Sequence, residues 1–348
     1  MKFDVKKLQG ILDRAVEANE ECGLQLAVYD HGELAVEICS GFADRARSVE
    51  VTPETLFPVY SCGKGVMTAA FHILAEREIL RYDDRIADYW PEYGCNGKED
   101  TLIWHALSHR AAVKALPELD SPSDMGDWEL MCRKLAAAVP ENVPGGKSAY
   151  HGLTFAWLIG EVASRASGMF FGDFIKAEIF RKLNIEDDFF FGTDAAADAR
   201  LAQVDGSEDN WCRSFIENDK IRHGFVPSAN GVGTAAALAR IYAAVTWGVD
   251  GTKLLTDATV ENAAILRRAW DDPLTSSWAK FGLGWALPCA PETSAVFGHG
   301  GALGGEGFVD REKGIAVGFV KNHVTATHPV HPVRDQISEA LGIPLRHW

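Results

Sequence analysis

Ser61 and Lys64 stand three residues apart in the stretch FPVYSCGKGVMTAAFHILAE, where almost everything after the lysine is apolar. On a helix, residues i and i+3 share a face with Cβ atoms about 5–6 Å apart, so a hydroxyl and an amine at this spacing can meet. A helix that starts at Ser61 also sets the hydroxyl at the positive end of the macrodipole, which favours a developing alkoxide. Burial among Val66, Met67, Phe71, Ile73 and Leu74 would lower the Lys64 pKa and let the amine act as a base near neutrality. A nucleophile with a base beside it is the minimum for covalent acyl transfer.

The spacing alone is weak evidence. Ser277 and Lys280 repeat it, but that copy precedes the strand-like FGLGWAL instead of opening a long apolar helix, and reads as a chance match. The competing account of Ser61 is a helix N-cap, with Lys64 snorkelling out to solvent.

Other chemistry-bearing residues fare less well. His105 and His109, at i and i+4, share a helical face with the spacing of a metal pair. No Glu follows His105 and no third ligand is evident, so they read as structural histidines and no metal is expected. His323, His328 and His331 fall in a C-terminal tail that reads as solvated. SANG at Ser228–Gly231 reads as a loop ahead of Thr234, a plausible helix N-cap. The chain has no Gly-x-Ser-x-Gly, so an α/β-hydrolase nucleophile elbow is excluded. GHGGALGG leads into a strand instead of a helix, which argues against a dinucleotide or phosphate loop. No cofactor is expected.

The elements that must hold Ser61 can be read on either side of it. A first helix over about residues 3–19 gives way to two apolar runs flanking Asp30-His31-Gly32, a hairpin signal. From Ser61 to Val245 helical patterns dominate, among them TLIWHALSH, WELMCRKLAAAV, LTFAWLIGEVASRAS, FGDFIKAEIFRKLN and TAAALARIYAAV. Strand-like runs return in FGLGWAL, SAVFGHGG, GEGFVD and GIAVGFVKN. The expected fold is therefore mixed α/β (α+β): one antiparallel sheet built from both ends of the chain with flanking helices, and a helical subdomain inserted. Residues 1–60 and 225–348 would form the sheet-containing region and 61–224 the mainly helical one, with the site in the cleft between them.

Bulk composition fits this and narrows the partners. The 348 residues suit one large domain or two intimately joined ones. A net charge of 34 − 49 = −15 disfavours nucleic acid and anionic membranes. No apolar run approaches the roughly 18 residues of a membrane helix, and the charged N-terminus lacks a signal peptide's apolar core. Seven scattered cysteines without a Cys-x-x-Cys pair suit reduced thiols in a cytoplasm. Oligomeric state is not legible.

Three motifs in order, SCGK at Ser61, YHG at Tyr150 and HGG at His299, resemble the signature elements of the serine β-lactamase and penicillin-binding-protein fold. There they are Ser-x-x-Lys, Tyr-x-Asn and Lys-Thr-Gly. The likeness is nearest to class C β-lactamases and family VIII carboxylesterases, and spans about residues 20–325. It implies that Ser61 is the acylated nucleophile, Lys64 its proton partner and Tyr150 a second proton shuttle. His299 would line the strand beside the nucleophile and polarise or orient substrate. Gly300 and Gly301 would let substrate lie against that strand, and the backbone N–H groups of Ser61 and Ala302 would form the oxyanion hole.

Two departures bear on substrate. Gly152 takes the place of the family asparagine, which in β-lactamases contacts the lactam side-chain amide. His299 takes that of a lysine, removing a fixed cation that would grip the β-lactam carboxylate. The resemblance so qualified implies a serine hydrolase, a carboxylesterase on small ester or amide substrates. The alternatives are a β-lactamase or D-amino-peptidase, an acyltransferase, and a catalytically silent binding protein.

Overall fold

The apolar runs around Asp30-His31-Gly32 form a hairpin of strands Gly23–Asp30 and Glu33–Gly41. His31 and Gly32 both sit at positive φ, 48° and 94°, the backbone that a two-residue hairpin turn requires. The computed structural model describes residues 3–207, 209–269, 280–290, 294–324 and 332–344. In it the hairpin is part of a five-stranded antiparallel sheet, which runs Glu33–Gly41, Gly23–Asp30, Ile315–Lys321, Glu306–Asp310, Val296–Gly300 from edge to edge. The two ends of the chain meet at its centre, Leu24 opposite Lys321 and Asp30 opposite Ile315.

Strand alternation feeds two cores, one on each face. Leu24, Leu26 and Val28 pack under helices Val5–Glu17 and Pro332–Leu341, against Leu8, Leu12 and Ile337. Ala27 and Tyr29 face the larger core, which includes helix Ala235–Thr246. Thr234 caps that helix as expected, its hydroxyl accepting the Ala237 N–H at 3.1 Å. Helix and sheet approach closely at Gly318, where a Cβ would run into Ala235 O.

The helical patterns of the middle region are found at Cys62–Glu76, Ile103–Leu107, Trp128–Ala137, Phe155–Ser167 and Phe171–Ile175. The last continues as a π-turn through Lys176–Phe180. Cys62–Glu76 is buried without a break from Cys62 to Leu74, as befits a central helix that is apolar all round.

Four readings need correction. A second small sheet, Phe57–Pro58, Gly231–Gly233 and Phe189–Phe191, interrupts the helical middle; its strands are too short to show alternation. FGLGWAL is a strand only at Lys280–Phe281. Beyond it the chain bends at Gly284 (φ 90°) and returns to the sheet where Ala286 bridges Gly298. That bend is tied to the central helix: Trp285 Nε1 donates to Gly65 O at 3.1 Å and His72 Nε2 to Leu283 O at 3.0 Å. His323 is half-buried and pairs with Asp205 at 2.8 Å, so it is not part of a solvated tail. Helix Ile103–Leu107 ends before His109, which stands at φ 58°, so His105 and His109 do not share a helical face. Ser277, His328 and His331 lie outside the described residues. Among the described residues no helix is long and apolar enough to cross a membrane.

Candidate active site

Ser61 follows a turn with an unusual backbone. Tyr60 is a buried non-glycine residue at φ 47°, a conformation that costs of order 1–3 kcal/mol unless its surroundings enforce it. Here strand Phe57–Pro58 anchors one side, and the Tyr60 hydroxyl donates to Cys212 O at 2.8 Å. The turn delivers Ser61 to the N-cap position of helix Cys62–Glu76, yet its side chain makes no capping bond. Lys64 Nζ lies 3.0 Å from Ser61 Oγ, and the Tyr150 hydroxyl donates to Ser61 Oγ at 2.9 Å. The N-cap account fails on both counts, because Lys64 is wholly buried and does not reach solvent.

Burial holds the Lys64 amine well below the usual lysine range, with only Cys62 acting the other way. No carboxylate among the described residues pairs with it. Its other contact is a carbonyl: Nζ donates to Ser228 O at 2.7 Å. The loop presenting that carbonyl is pinned by buried side chains. Ser228 Oγ donates to Leu153 O at 2.7 Å, and Asn230 Nδ2 donates to Ile221 O and Gly224 O, both at 2.8 Å. Read from sequence as a spacer, SANG is a wall of the site. A main-chain oxygen leaves no trace in residue identity; two buried polar side chains in an apolar stretch were the available signal.

Tyr150 comes from the segment ahead of helix Phe155–Ser167. Burial raises its phenol above the usual tyrosine value, the bond to Ser61 opposing, so the group is protonated. Lys64 Nζ lies 5.0 Å from its ring centroid. Gly152, two residues on, is not a tight spot: a Cβ there would meet the Tyr150 ring at 3.6 Å, ordinary contact.

The sheet supplies the opposite side through strand Val296–Gly300. His299 is buried, its ring 6.0 Å from that of Tyr150. Its Nδ1 donates to Gly300 O at 2.7 Å, so Nε2 carries the lone pair; among the described residues that buried atom has no hydrogen-bond partner. Burial pushes His299 down to about 3. It is neutral and presents no cation. Gly301 packs so closely on the turn before Ser61 that a Cβ would strike Val59 O. The Gly301 N–H is engaged by Gly305 O at 2.7 Å.

His105 Nδ1 accepts the Leu102 N–H at 3.1 Å at the start of its own short helix. Among the described residues no cluster of His, Cys, Asp and Glu has the geometry to hold a metal.

The chain belongs to the Beta-lactamase family, whose model matches residues 8–341; within it, this is a serine hydrolase. Esterase/beta-lactamase LipL of Mycobacterium tuberculosis (strain ATCC 25618 / H37Rv) is 30% identical over 333 residues, covering 87% of this chain and 77% of LipL. Among solved structures, a family VIII carboxylesterase superposes with a TM-score of 0.91 at 26% identity, over 97% of this chain and 96% of that one. A penicillin-binding-protein homologue from Caulobacter crescentus gives 0.86 at 29% identity, with the same coverage.

Proposed function

We propose that the protein hydrolyses small carboxylic esters through an acyl-enzyme on Ser61. One observation carries this: a buried lysine, its amine held well below the usual lysine range by desolvation, lies 3.0 Å from the Ser61 hydroxyl. A neutral Lys64 can donate to Ser228 O and still offer its lone pair to the Ser61 proton. Ser61 Oγ attacks the ester carbonyl as that proton passes to Lys64. The oxyanion is received by the Ser61 and Ala302 N–H groups. The intermediate collapses with loss of the alcohol, protonated through Tyr150 and Lys64. Water then attacks the acyl carbon and gives up a proton along the same path, releasing the carboxylic acid and restoring Ser61.

The ester preference is supported by the names of the relatives, an esterase/β-lactamase and a carboxylesterase. It is supported as well by the neutral His299 and the bare Gly152, neither of which would grip a β-lactam's carboxylate or side-chain amide. On this reading the cleft lies between residues 1–60 with 225–348 and residues 61–224. Seven scattered cysteines without a Cys-x-x-Cys pair support a cytoplasmic setting.

The test is hydrolysis of p-nitrophenyl butyrate by the wild-type protein and by Ser61→Ala. Activity in the first and its loss in the second is the expected result. Equal activity in both overturns Ser61 as nucleophile, and none in either overturns the small-ester assignment.

A further inference from the structure

His109, dismissed as a metal ligand, grips the residues on either side of Tyr150. Its main-chain carbonyl accepts the Ala149 N–H at 2.9 Å, and its Nδ1 accepts the His151 N–H at 3.1 Å. An amide N–H only donates, so Nδ1 carries the lone pair and the ring proton sits on Nε2. The ring is wholly buried, 5.0 Å from the Tyr150 ring and 4.3 Å from that of Phe281. Behind it a second layer closes the loop: His151 Nδ1 donates to Ala149 O at 2.7 Å, and Val113 N–H donates to His151 Nε2 at 3.3 Å. Both peptide groups that flank Tyr150 are thereby fixed.

We propose that His109 is a positioning residue for Tyr150, its carbonyl and Nδ1 together setting the 2.9 Å approach of the Tyr150 hydroxyl to Ser61 Oγ. This rests on Tyr150 being the proton shuttle of the reading above. The role requires the neutral imidazole, because a proton on Nδ1 would remove the acceptor for His151. The facing titratable groups agree with that state. Burial drives His109 well below the usual histidine value, and any charge on the facing His151, Lys64 or His299 would press the same way. The left-handed backbone at His109 (φ 58°) also suits the function, since it turns main chain and side chain toward the same segment.

The experiment is a double-mutant cycle on p-nitrophenyl butyrate with His109→Ala, Tyr150→Phe and the pair, alongside His109→Asn. Misplacing a catalytic group by about 1 Å can cost roughly 100-fold, so H109A should lower kcat by about 10- to 100-fold and leave KM nearly unchanged. In the Y150F background the same change should cost under about threefold, because residues acting as a unit are non-additive. Asn keeps an acceptor and tolerates the left-handed backbone, so H109N should recover most of kcat. If H109A shows no cooperative melt, His109→Gly, which accepts the same φ, replaces it in the cycle. An equal loss from H109A in both backgrounds overturns the positioning role alone. Y150F with wild-type kcat overturns the shuttle and the positioning role together.

Discussion

Two buried lysines, Lys64 and Lys321, show how one residue type is put to opposite uses. Lys321 ends the central strand Ile315–Lys321 and forms an ion pair with Glu21, the two side chains 1% and 6% exposed. Burial lowers the Lys321 amine, but Glu21 opposes that shift by charge and hydrogen bond. Lys64 is as deeply buried and has Ser228 O and the Ser61 hydroxyl in place of a carboxylate. Among the described residues its charged form has no counter-ion, so nothing there offsets the cost of burial and the amine is held well below the usual lysine range. The difference lies in what surrounds the amine: a carboxylate supports the charge of a buried lysine, while a hydroxyl and a carbonyl leave the desolvation unopposed.

The sharpest way to break this comparison is Lys64→Met. Loss of a general base costs typically about 10²–10⁴-fold, and kcat on p-nitrophenyl butyrate should fall by that much. The melting temperature should hold or rise, because the variant no longer buries an amine lacking a counter-ion. A collapsed melt with kcat retained would reverse the assignment. Lys321→Met should do the opposite. Removing one partner of a buried ion pair costs about 3–5 kcal/mol, read from urea denaturation, while kcat of the folded protein stays near wild type.

How much of this was legible follows from what residue identity encodes. Ser61, Lys64 and Tyr150 would act through side chains at characteristic positions, and the structure brings Lys64 and Tyr150 within hydrogen-bonding reach of Ser61 Oγ. The antiparallel sheet was legible because its strands, five to nine residues long, lie in short apolar or strand-like runs, two of them set around a hairpin turn. Ser228 was missed because it serves through a carbonyl. His109 was seen at a suggestive spacing but misjudged in setting, since the helix ends at Leu107 and the next turn points its ring at the Tyr150 segment. The two- and three-residue strands near Ser61 are held by tertiary pairing and carry no period of their own.

The smallest expected effect is on acid stability, and here too the regions differ. His72, His105 and His151 are each pushed from 6.5 to about 4 and His299 to about 3, all chiefly by burial. The unfolded chain takes up protons below about pH 6.5 that the folded protein refuses, so stability present above that pH is lost as it falls toward 4. Glu21 acts in reverse: burial raises its folded pKa, so acid relieves its cost. Five histidines, His109 included, against Glu21 and Glu37 should lower the melting temperature by a few degrees between pH 7 and pH 5.5. A flat or rising profile over that range would show that burial of these rings is not what shifts them.

The most direct test of the account is to quench the wild-type protein during turnover of p-nitrophenyl butyrate and map the covalent adduct by peptide mass spectrometry. The account predicts a butyryl ester on Ser61, absent in Ser61→Ala. A butyryl group on any other side chain, or steady turnover through an enzyme that never carries one, would contradict it.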